Sequence, residues 1–245
     1  RLKKQPPRPV QEKMQNNDVK FEIIHIQPEN TNSVLVTRGP DAVVFDPWGR
    51  ADDWIKLLDG RGLHLRAIYA THGHSDHISG APELAAHYDV AWYMNHRDLE
   101  LITWGNMLLE YFNMPKIPSD FRRPENLTAG TREILGGIKM DIIATPGHSA
   151  GGMMFYFPEY GILLSGDTIF RDTVGRTDLP TGNSDDLRAS VAALRDMNLP
   201  DETYVVHGHG VDSTIKMLRH HNPFFGGEKC GCCHHCVCGG DCGCK

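Results

Sequence analysis

The residues with the clearest chemical potential lie in one short stretch, Thr71-His-Gly-His-Ser-Asp-His77, which holds three imidazoles and one carboxylate. The stretch follows an apolar, strand-like run, and alternate side chains of an extended segment point the same way. His72 and His74 are therefore predicted to reach one metal ion together. Asp76 and His77 follow where the chain bends toward a predicted helix, and can reach a second ion. Imidazole and carboxylate are zinc ligands that also suit iron and manganese.

Three further candidate ligands repeat one design, in which an apolar strand ends beside glycine: His148, Asp167 and His209. Glycine permits the tight turns and close backbone approach that crowded ligands need. The seven residues divide into two ligand sets and a bridge: His72, His74 and His148 for one ion, Asp76, His77 and His209 for the other, and Asp167 between them. Two divalent ions held so, about 3.5–4 Å apart, leave room for a shared water or hydroxide that attacks a polarised carbonyl.

Composition limits the other classes of function. The chain has 245 residues and a net charge of −6, with acidic and basic residues mixed, so it shows no electrostatic footprint for nucleic acid. No apolar run approaches the roughly 20 residues that span a bilayer. Apart from the C-terminal stretch the chain lacks cysteine, which favours a reducing, cytoplasmic location. Composition leaves the oligomeric state open.

Hydrophobic patterning predicts strands and helices without regular alternation. Strands are predicted over 21–26, 33–37, 42–45, 90–94, 138–144, 153–157, 162–165 and 204–206, and helices over 52–58, 82–88, 98–112 and 214–221. A further helix is predicted to begin at an N-cap, Ser184, with two acidic residues in its first turn. This order predicts two sheets packed face to face with helices on the outsides.

The ligand pattern also carries a family resemblance. His72-x-His-x-Asp-His77, followed by His148, Asp167 and His209, resembles the metallo-β-lactamase superfamily. Several longer phrases are similar to its glyoxalase II-like branch, the hydroxyacylglutathione hydrolases: Thr145-Pro-Gly-His-Ser-Ala-Gly-Gly152, Gly166-Asp-Thr-Ile-Phe170, Gly175-Arg-Thr-Asp178 and Gly208-His-Gly210. The resemblance runs from about residue 21 to 225. It implies a four-layer αββα sandwich of two mixed β-sheets flanked by helices, and favours His209 over His207 as the ligand.

The resemblance implies a dinuclear hydrolase of thioesters. A metal-bound hydroxide would attack the acyl carbonyl, with Asp76 or the bridging Asp167 holding it in line. A thiolate leaving group has a parent pKa of about 8.5 and needs little proton assistance, which fits the absence of an obvious general acid. Zinc is the first expectation for both ions, with iron or manganese as alternatives. The substrate partner would be a small-molecule thioester or a related acyl compound.

Two residues have a functional and a structural interpretation. Arg176 stands where the family's glutathione-using members carry a basic residue, and it is predicted either to bind a substrate carboxylate or to pair with Asp178. Asp46 ends an early strand, as an acidic residue does in the family. It either orients a metal-bound imidazole or caps the turn before Pro47.

Other functions stay open. A mononuclear iron persulfide dioxygenase would use ligands of the His72, His148 and Asp167 type but not the second set. A lactonase or a metal-binding or sensing protein are further alternatives. The 98–118 segment is a candidate lid or pocket wall. Its large apolar side chains are predicted to be core in preference to cleft lining: Trp104, Met107, Tyr111, Phe112 and Met114.

The domain prediction has three parts: a disordered N-terminal extension over 1–19, a hydrolase domain over 20–226, and a cysteine-rich tail over 227–245. The tail holds all seven cysteines, at Cys230, Cys232, Cys233, Cys236, Cys238, Cys242 and Cys244. Dense thiolates suit soft metals, so an additional tail metal is expected. The alternative is a flexible, redox-active tail that binds no ion.

Overall fold

The computed structural model describes residues 15–16, 18–26, 31–111 and 113–226. Two mixed β-sheets face each other, one of seven strands and one of six. Helices cover their outer faces, which gives the four layers that the sequence predicts.

The first sheet is built in chain order. It runs β1 (Gln15–Asn16), β2 (Val19–Ile24), β3 (Ser33–Arg38), β4 (Asp41–Phe45), β5 (His64–Tyr69), β6 (Trp92–Met94) and β7 (Glu125–Asn126). The first four strands pair antiparallel, and the pairs from β4 to β7 are parallel. The parallel pairs are connected through helices, as parallel connections require.

In the second sheet, too, strands that follow each other in the chain are neighbours. It runs β13 (Ser213–Thr214), β12 (Tyr204–His207), β11 (Ile162–Gly166), β10 (Met153–Phe157), β9 (Ile138–Ala144) and β8 (Gly130–Ile134). Only β11 and β12 pair parallel. Each sheet therefore has parallel strands whose carboxyl ends lie at one edge, where ligand-binding loops of α/β proteins usually sit.

Six α-helices complete the described fold: α1 (Ala51–Gly60), α2 (Ser75–Ile78), α3 (Ala81–Tyr88), α4 (Leu99–Tyr111), α5 (Ser184–Asp196) and α6 (Ile215–His221). A 3₁₀ turn, His96–Asp98, leads into α4. No described helix has both the length and the apolar character that crossing a membrane requires.

Three layers of apolar side chains hold the fold together. Alternate residues of both sheets fill the space between them, with Phe45 and Phe155 in edge-to-face contact at 5.1 Å between ring centroids. The other face of the first sheet packs against α1, α3 and α4, around Trp54. The second sheet packs against α5 and α6 around Leu187.

The structure corrects four local predictions. Asn183, not Ser184, caps α5, because its side chain accepts the N–H groups of Asp185 and Asp186. Strand β8 was not predicted from the sequence. The extension predicted as disordered cannot include Gln15, Asn16 and Val19, which lie in strands. The core prediction for α4 is wrong for two side chains that are exposed to solvent, Met107 and Tyr111.

Candidate metal centre

All seven predicted ligands come together at the edge where the two sheets meet. The loop after β5 and the short helix α2 supply four of them. The second sheet supplies the other three from the loops after β9, β11 and β12: His148, Asp167 and His209. Strand ends on a rigid scaffold place these side chains with little freedom.

Three imidazoles form what we call the three-histidine cluster: His72, His74 and His148. His74 Nδ1 lies 3.0 Å from His72 Nε2 and 2.9 Å from His148 Nε2. Two nitrogens bound to one tetrahedral zinc at about 2.05 Å would lie about 3.3 Å apart. The spacing is therefore close to that of ligands around a shared ion.

Hydrogen bonds behind the cluster set its tautomers. The Thr71 hydroxyl donates to Asp46 Oδ2 at 2.7 Å, so it accepts from His72 Nδ1 at 3.0 Å. His148 Nδ1 donates to the carbonyl oxygen of Arg176 at 2.7 Å. Both rings then aim an Nε2 lone pair at His74 Nδ1, which has at most one proton to offer. A single proton on His74 cannot bond to both of these lone pairs, whereas a bound cation would accept both.

The second group, which we call the carboxylate cluster, contains Asp76, His77 and His209. His209 Nε2 lies 3.1 Å from Asp76 Oδ2 and 3.3 Å from His77 Nε2. Asp46 Oδ2 lies 2.9 Å from His77 Nδ1, so the opposite ring nitrogen faces the cluster. This cluster also has the ligand types and spacing of a metal site.

Asp167 lies between the two clusters. Its Oδ2 is 3.6 Å from His148 Nε2 and 3.6 Å from His209 Nε2, and its Oδ1 is 3.5 Å from His77 Nε2. Within the described part of the chain, buried Asp167 Oδ1 has no hydrogen-bond partner. A buried carboxylate oxygen left in this way is costly unless a cation meets it. The donor set thus fits divalent metal ions, with Asp167 placed as a bridge.

Asp46 contacts a cluster imidazole, His77, as its functional interpretation predicts. Its φ of 49° is unusual for a residue other than glycine. The carboxylate accepts the Thr71 backbone N–H at 2.6 Å as well as the contacts from Thr71 and His77 described above. Asp46 therefore supports one imidazole of each cluster, directly for His77 and through Thr71 for His72.

Asp98 is a supporting residue that the sequence analysis missed. It is fully buried and accepts three hydrogen bonds: from Gly73 N–H at 2.9 Å, Gly151 N–H at 2.6 Å and the Ser149 hydroxyl at 2.7 Å. It thereby ties the loop of His72 and His74 to the loop of His148. The signal was weak, because a lone Asp before a helix is usually read as an N-terminal acidic residue.

The chain at residue 208 passes so close to two candidate ligands that the residue there must be glycine. A Cβ placed on Gly208 would clash with Asp167 Oδ1 and would lie 2.9 Å from His77 Cε1. Only glycine lets the chain before His209 pass this close to the other ligands.

In the metal-free protein the pKa values of His72 and His74 are shifted in the opposite direction to those of His77 and His209. Burial, helped by the neighbouring imidazoles, holds the pKa of His72 well below its usual range and lowers that of His74 to about 3. Burial also opposes charge on His77, but three carboxylates, with Asp46 foremost, raise its pKa to about 10. The pKa of His209 is also raised: burial lowers it, and the hydrogen bond to Asp76 outweighs burial.

Of the two predicted roles of Arg176, substrate binding or pairing with Asp178, the side chain adopts the pairing. It pairs with Asp178 through two contacts of 2.7 Å, and both groups are exposed. His207 is buried and bonded outside the clusters, 2.7 Å from the Ile169 carbonyl oxygen and 2.8 Å from Ser213 Oγ. The seven cysteines of the predicted tail metal site lie outside the described residues.

Comparison with known proteins agrees with this geometry. Residues 26–209 match the family model described as the metallo-beta-lactamase superfamily. The chain is 30% identical over 215 residues to a hydroxyacylglutathione hydrolase, GloC, of Haemophilus influenzae, covering 85% of this chain and 99% of the relative.

Solved structures are similar over the same region. A di-iron-bound crystal structure of TTHA1623 has a TM-score of 0.73 and 33% identity, covering 83% of this chain and 99% of that one. The BLEG-1 B3 metallo-beta-lactamase has a TM-score of 0.72 and 30% identity, covering 84% and 99%. From the profile match, the shared fold and the paired ligand clusters, it follows that this chain belongs to the metallo-beta-lactamase superfamily.

Proposed function

We propose that this protein is a dinuclear metal-dependent hydrolase of thioesters. The observation that carries the proposal is the pair of candidate ligand clusters with Asp167 between them, which supports two ions in preference to one. The relative named hydroxyacylglutathione hydrolase supports the thioester bond as the target. The metals themselves are proposed to be zinc first, with iron supported by the di-iron form of a similar structure.

The bound ions would supply a water of lowered pKa and a Lewis acid that polarises a carbonyl. The residues of the chain do the rest. Asp167 would be shared between the two metal sites, and Asp76 or Asp167 would orient the attacking water through a carboxylate oxygen. The outer contacts of Asp46 and the Arg176 carbonyl fix the ring nitrogens that face the centre.

The chemistry of the leaving group explains why the site needs no separate proton donor. A thiolate has a parent pKa of about 8.5 and departs without a proton donor. Beyond the clusters themselves, the described residues that line the centre offer no separate group placed to protonate it. The arrangement is therefore compatible with thioester hydrolysis.

Metal counting combined with a substrate panel tests the proposal. The full chain, and a chain truncated after Gly227, are analysed for bound metal and assayed with S-lactoylglutathione, a lactone and a persulfide. Two ions per truncated chain with thioester hydrolysis are expected. One iron per chain with oxygen uptake on the persulfide would replace the proposal with the dioxygenase alternative, and lactone hydrolysis alone would replace it with the lactonase.

A matched pair of histidine variants shows that the centre is responsible. His209→Ala removes a ligand of the carboxylate cluster and is expected to lose one ion and most of the activity. His64→Ala removes an exposed imidazole on β5, remote from the clusters, and should leave both unchanged. Equal activity in the two variants would contradict the assignment of His209.

The tail over 227–245 is proposed as a separate soft-metal site, on the strength of its seven cysteines. The truncated chain should bind less zinc or copper in total than the full chain while keeping thioester hydrolysis. Equal metal content in both would overturn the tail site and leave the hydrolase proposal intact.

A further inference from the structure

The outer face of α4 carries an apolar stripe, which we call the α4 stripe: Trp104, Met107, Leu108 and Tyr111. Their spacing of three and four residues places them on one side of the helix. Met107 is 63% exposed and Tyr111 82% exposed, while Trp104 and Leu108 are half-buried. The solvent-facing side of such a helix is ordinarily polar, so four apolar side chains there indicate a surface that binds something apolar.

The helix that carries the stripe is fixed to the metal loops. Asp98, directly before α4, accepts hydrogen bonds from both ligand loops, as described above. Gly105 lies so close to α2 that a Cβ there would be 2.9 Å from Ser75 Cβ. On the other side, the Asn106 side chain bonds the Ile117 backbone twice, at 2.9 Å each. The α4 stripe is therefore held in a set position relative to the ligands.

One end of the stripe reaches the metal centre. The Trp104 ring lies 6.1 Å from the His74 ring, centroid to centroid. From Trp104 to Tyr111 the helix rises about 10 Å, the length of a medium acyl chain. An apolar group extending from a carbonyl at the centre in this direction would lie along the stripe.

The chemistry of the stripe selects the kind of group. None of its four side chains is charged, and the Arg176 guanidinium at the metal centre is already paired with Asp178. An anionic peptide such as glutathione would find no cation on the stripe, whereas methylene groups would find continuous apolar surface. We propose that the α4 stripe binds an apolar group of the substrate, so that the preferred substrates are thioesters with an apolar chain. This inference rests on the thioesterase proposal.

A substrate series tests it on the full, metal-loaded chain. Acetyl, butyryl, hexanoyl and octanoyl thioesters of N-acetylcysteamine vary the acyl side, and acetyl thioesters of ethanethiol and hexanethiol vary the thiol side. If the acyl chain lies on the stripe, kcat/KM should rise by up to about fourfold per methylene. A rise in the thiol series alone would place the thiol there, which keeps the inference and changes the side.

Two matched variants show where the chain binds. Met107→Gln makes the middle of the stripe polar, and its exposed position protects the fold. Met197→Gln is the control, at an exposed methionine next to α5, 40% accessible. Met107→Gln is expected to flatten the dependence on chain length by about tenfold at octanoyl, with little change for acetyl, while Met197→Gln should behave as wild type.

Tryptophan fluorescence gives a reading that does not need catalysis. The other three tryptophans, Trp48, Trp54 and Trp92, are fully buried, so Trp104 should report binding at the stripe. An octanoyl thioether analogue, which cannot be hydrolysed, is expected to shift or quench this emission in wild type and in Met197→Gln, but much less in Met107→Gln.

The outcomes separate the two proposals. Thioester hydrolysis that does not depend on chain length, or that Met107→Gln leaves unchanged, overturns the stripe and keeps the thioesterase. Absence of thioester hydrolysis with an intact fluorescence response overturns the thioesterase and keeps an apolar site at α4. A change in oligomeric state in Met107→Gln, without any substrate effect, would make the stripe an interface between copies and overturn the inference.

Discussion

The three-histidine cluster and the carboxylate cluster use similar ligands but are supported in different ways. Behind the first stand neutral acceptors, the Thr71 hydroxyl and the Arg176 carbonyl oxygen. Behind and beside the second stand carboxylates, with Asp46 at His77 and Asp76 at His209. The first cluster is therefore an array of neutral lone pairs, and the second holds excess negative charge.

This difference means that the proposed centre would bind its two ions unequally. His72 and His74 are ready for a cation without losing a proton, because burial holds their pKa values far below the usual range. In the metal-free carboxylate cluster the raised pKa of His77 keeps it positively charged, with both ring nitrogens protonated, and this charge partly balances the acidic groups. A cation there must replace one of these protons.

Asp167→Ala should have the largest effect, because it removes the group that both clusters share. We expect a loss of about 1,000-fold or more in kcat, since several kcal/mol of transition-state stabilisation depend on paired ions. Both metal affinities should fall together, measured by competition with a chelator. If only one affinity fell, Asp167 would belong to one cluster and the bridge would be wrong.

Substitution of the outer carboxylates should separate the clusters. Asp98→Ala is expected to weaken metal binding mainly at the three-histidine cluster, and Asp46→Asn mainly at the carboxylate cluster, each by about 10- to 100-fold. Cobalt substitution, with the visible spectrum followed during titration, shows which site fills first.

Asp52→Ala is the control for both, because this carboxylate lies exposed on α1, away from the centre. It should leave both affinities unchanged. The same loss at both sites in Asp98→Ala and Asp46→Asn would mean that the two clusters share one support and that the comparison does not hold.

The sequence predicts the ligands far better than their supports. His72, His74 and the residues after them share one short stretch, so their chemistry is visible from spacing alone. His148, Asp167 and His209 come from other strands, and were predictable because strand ends beside glycine repeat one local design and match a family pattern. The two-sheet sandwich was predictable from the order of the strands and helices and from the same family pattern.

Asp98 shows what spacing cannot reveal. Its three partners lie 25 to 53 residues away, on two loops that meet only in the folded chain. The exposure of Met107 was also hidden, because an amphipathic pattern does not say which apolar side chains find a neighbour. Tertiary contact decides both, and one sequence contains no direct record of it.

Metal binding should release a proton from His77 but none from His72 or His74. Since His77 has a raised pKa of about 10, it is protonated at pH 7.5 in the metal-free protein, and binding at the carboxylate cluster should release about one proton. Affinity there should rise about tenfold per pH unit up to about pH 10, because the competing proton is lost. His72 and His74 should release none, because burial lowers their pKa values.

Calorimetry in buffers of different ionisation enthalpy measures this release, with Asp98→Ala and Asp46→Asn used to isolate each cluster. Absence of proton release from the carboxylate cluster would contradict the raised pKa of His77 and the comparison between the clusters.

The smallest effect should come from Ser149→Ala, which removes one of the three hydrogen bonds to Asp98 and leaves the two backbone N–H donors in place. We expect a loss of about 1–2 kcal/mol in the free energy of unfolding and less than about fivefold in metal affinity. Urea denaturation of the metal-free chain measures the change in the free energy of unfolding.

Thr131→Ala is the matched control for Ser149→Ala, because Thr131 also donates to a carboxylate at 2.7 Å, but on the exposed face of β8. Its loss should be below about 0.5 kcal/mol, since water replaces the exposed partner. Equal losses would mean that burial does not strengthen the Asp98 bonds, and that the support of the three-histidine cluster lies elsewhere.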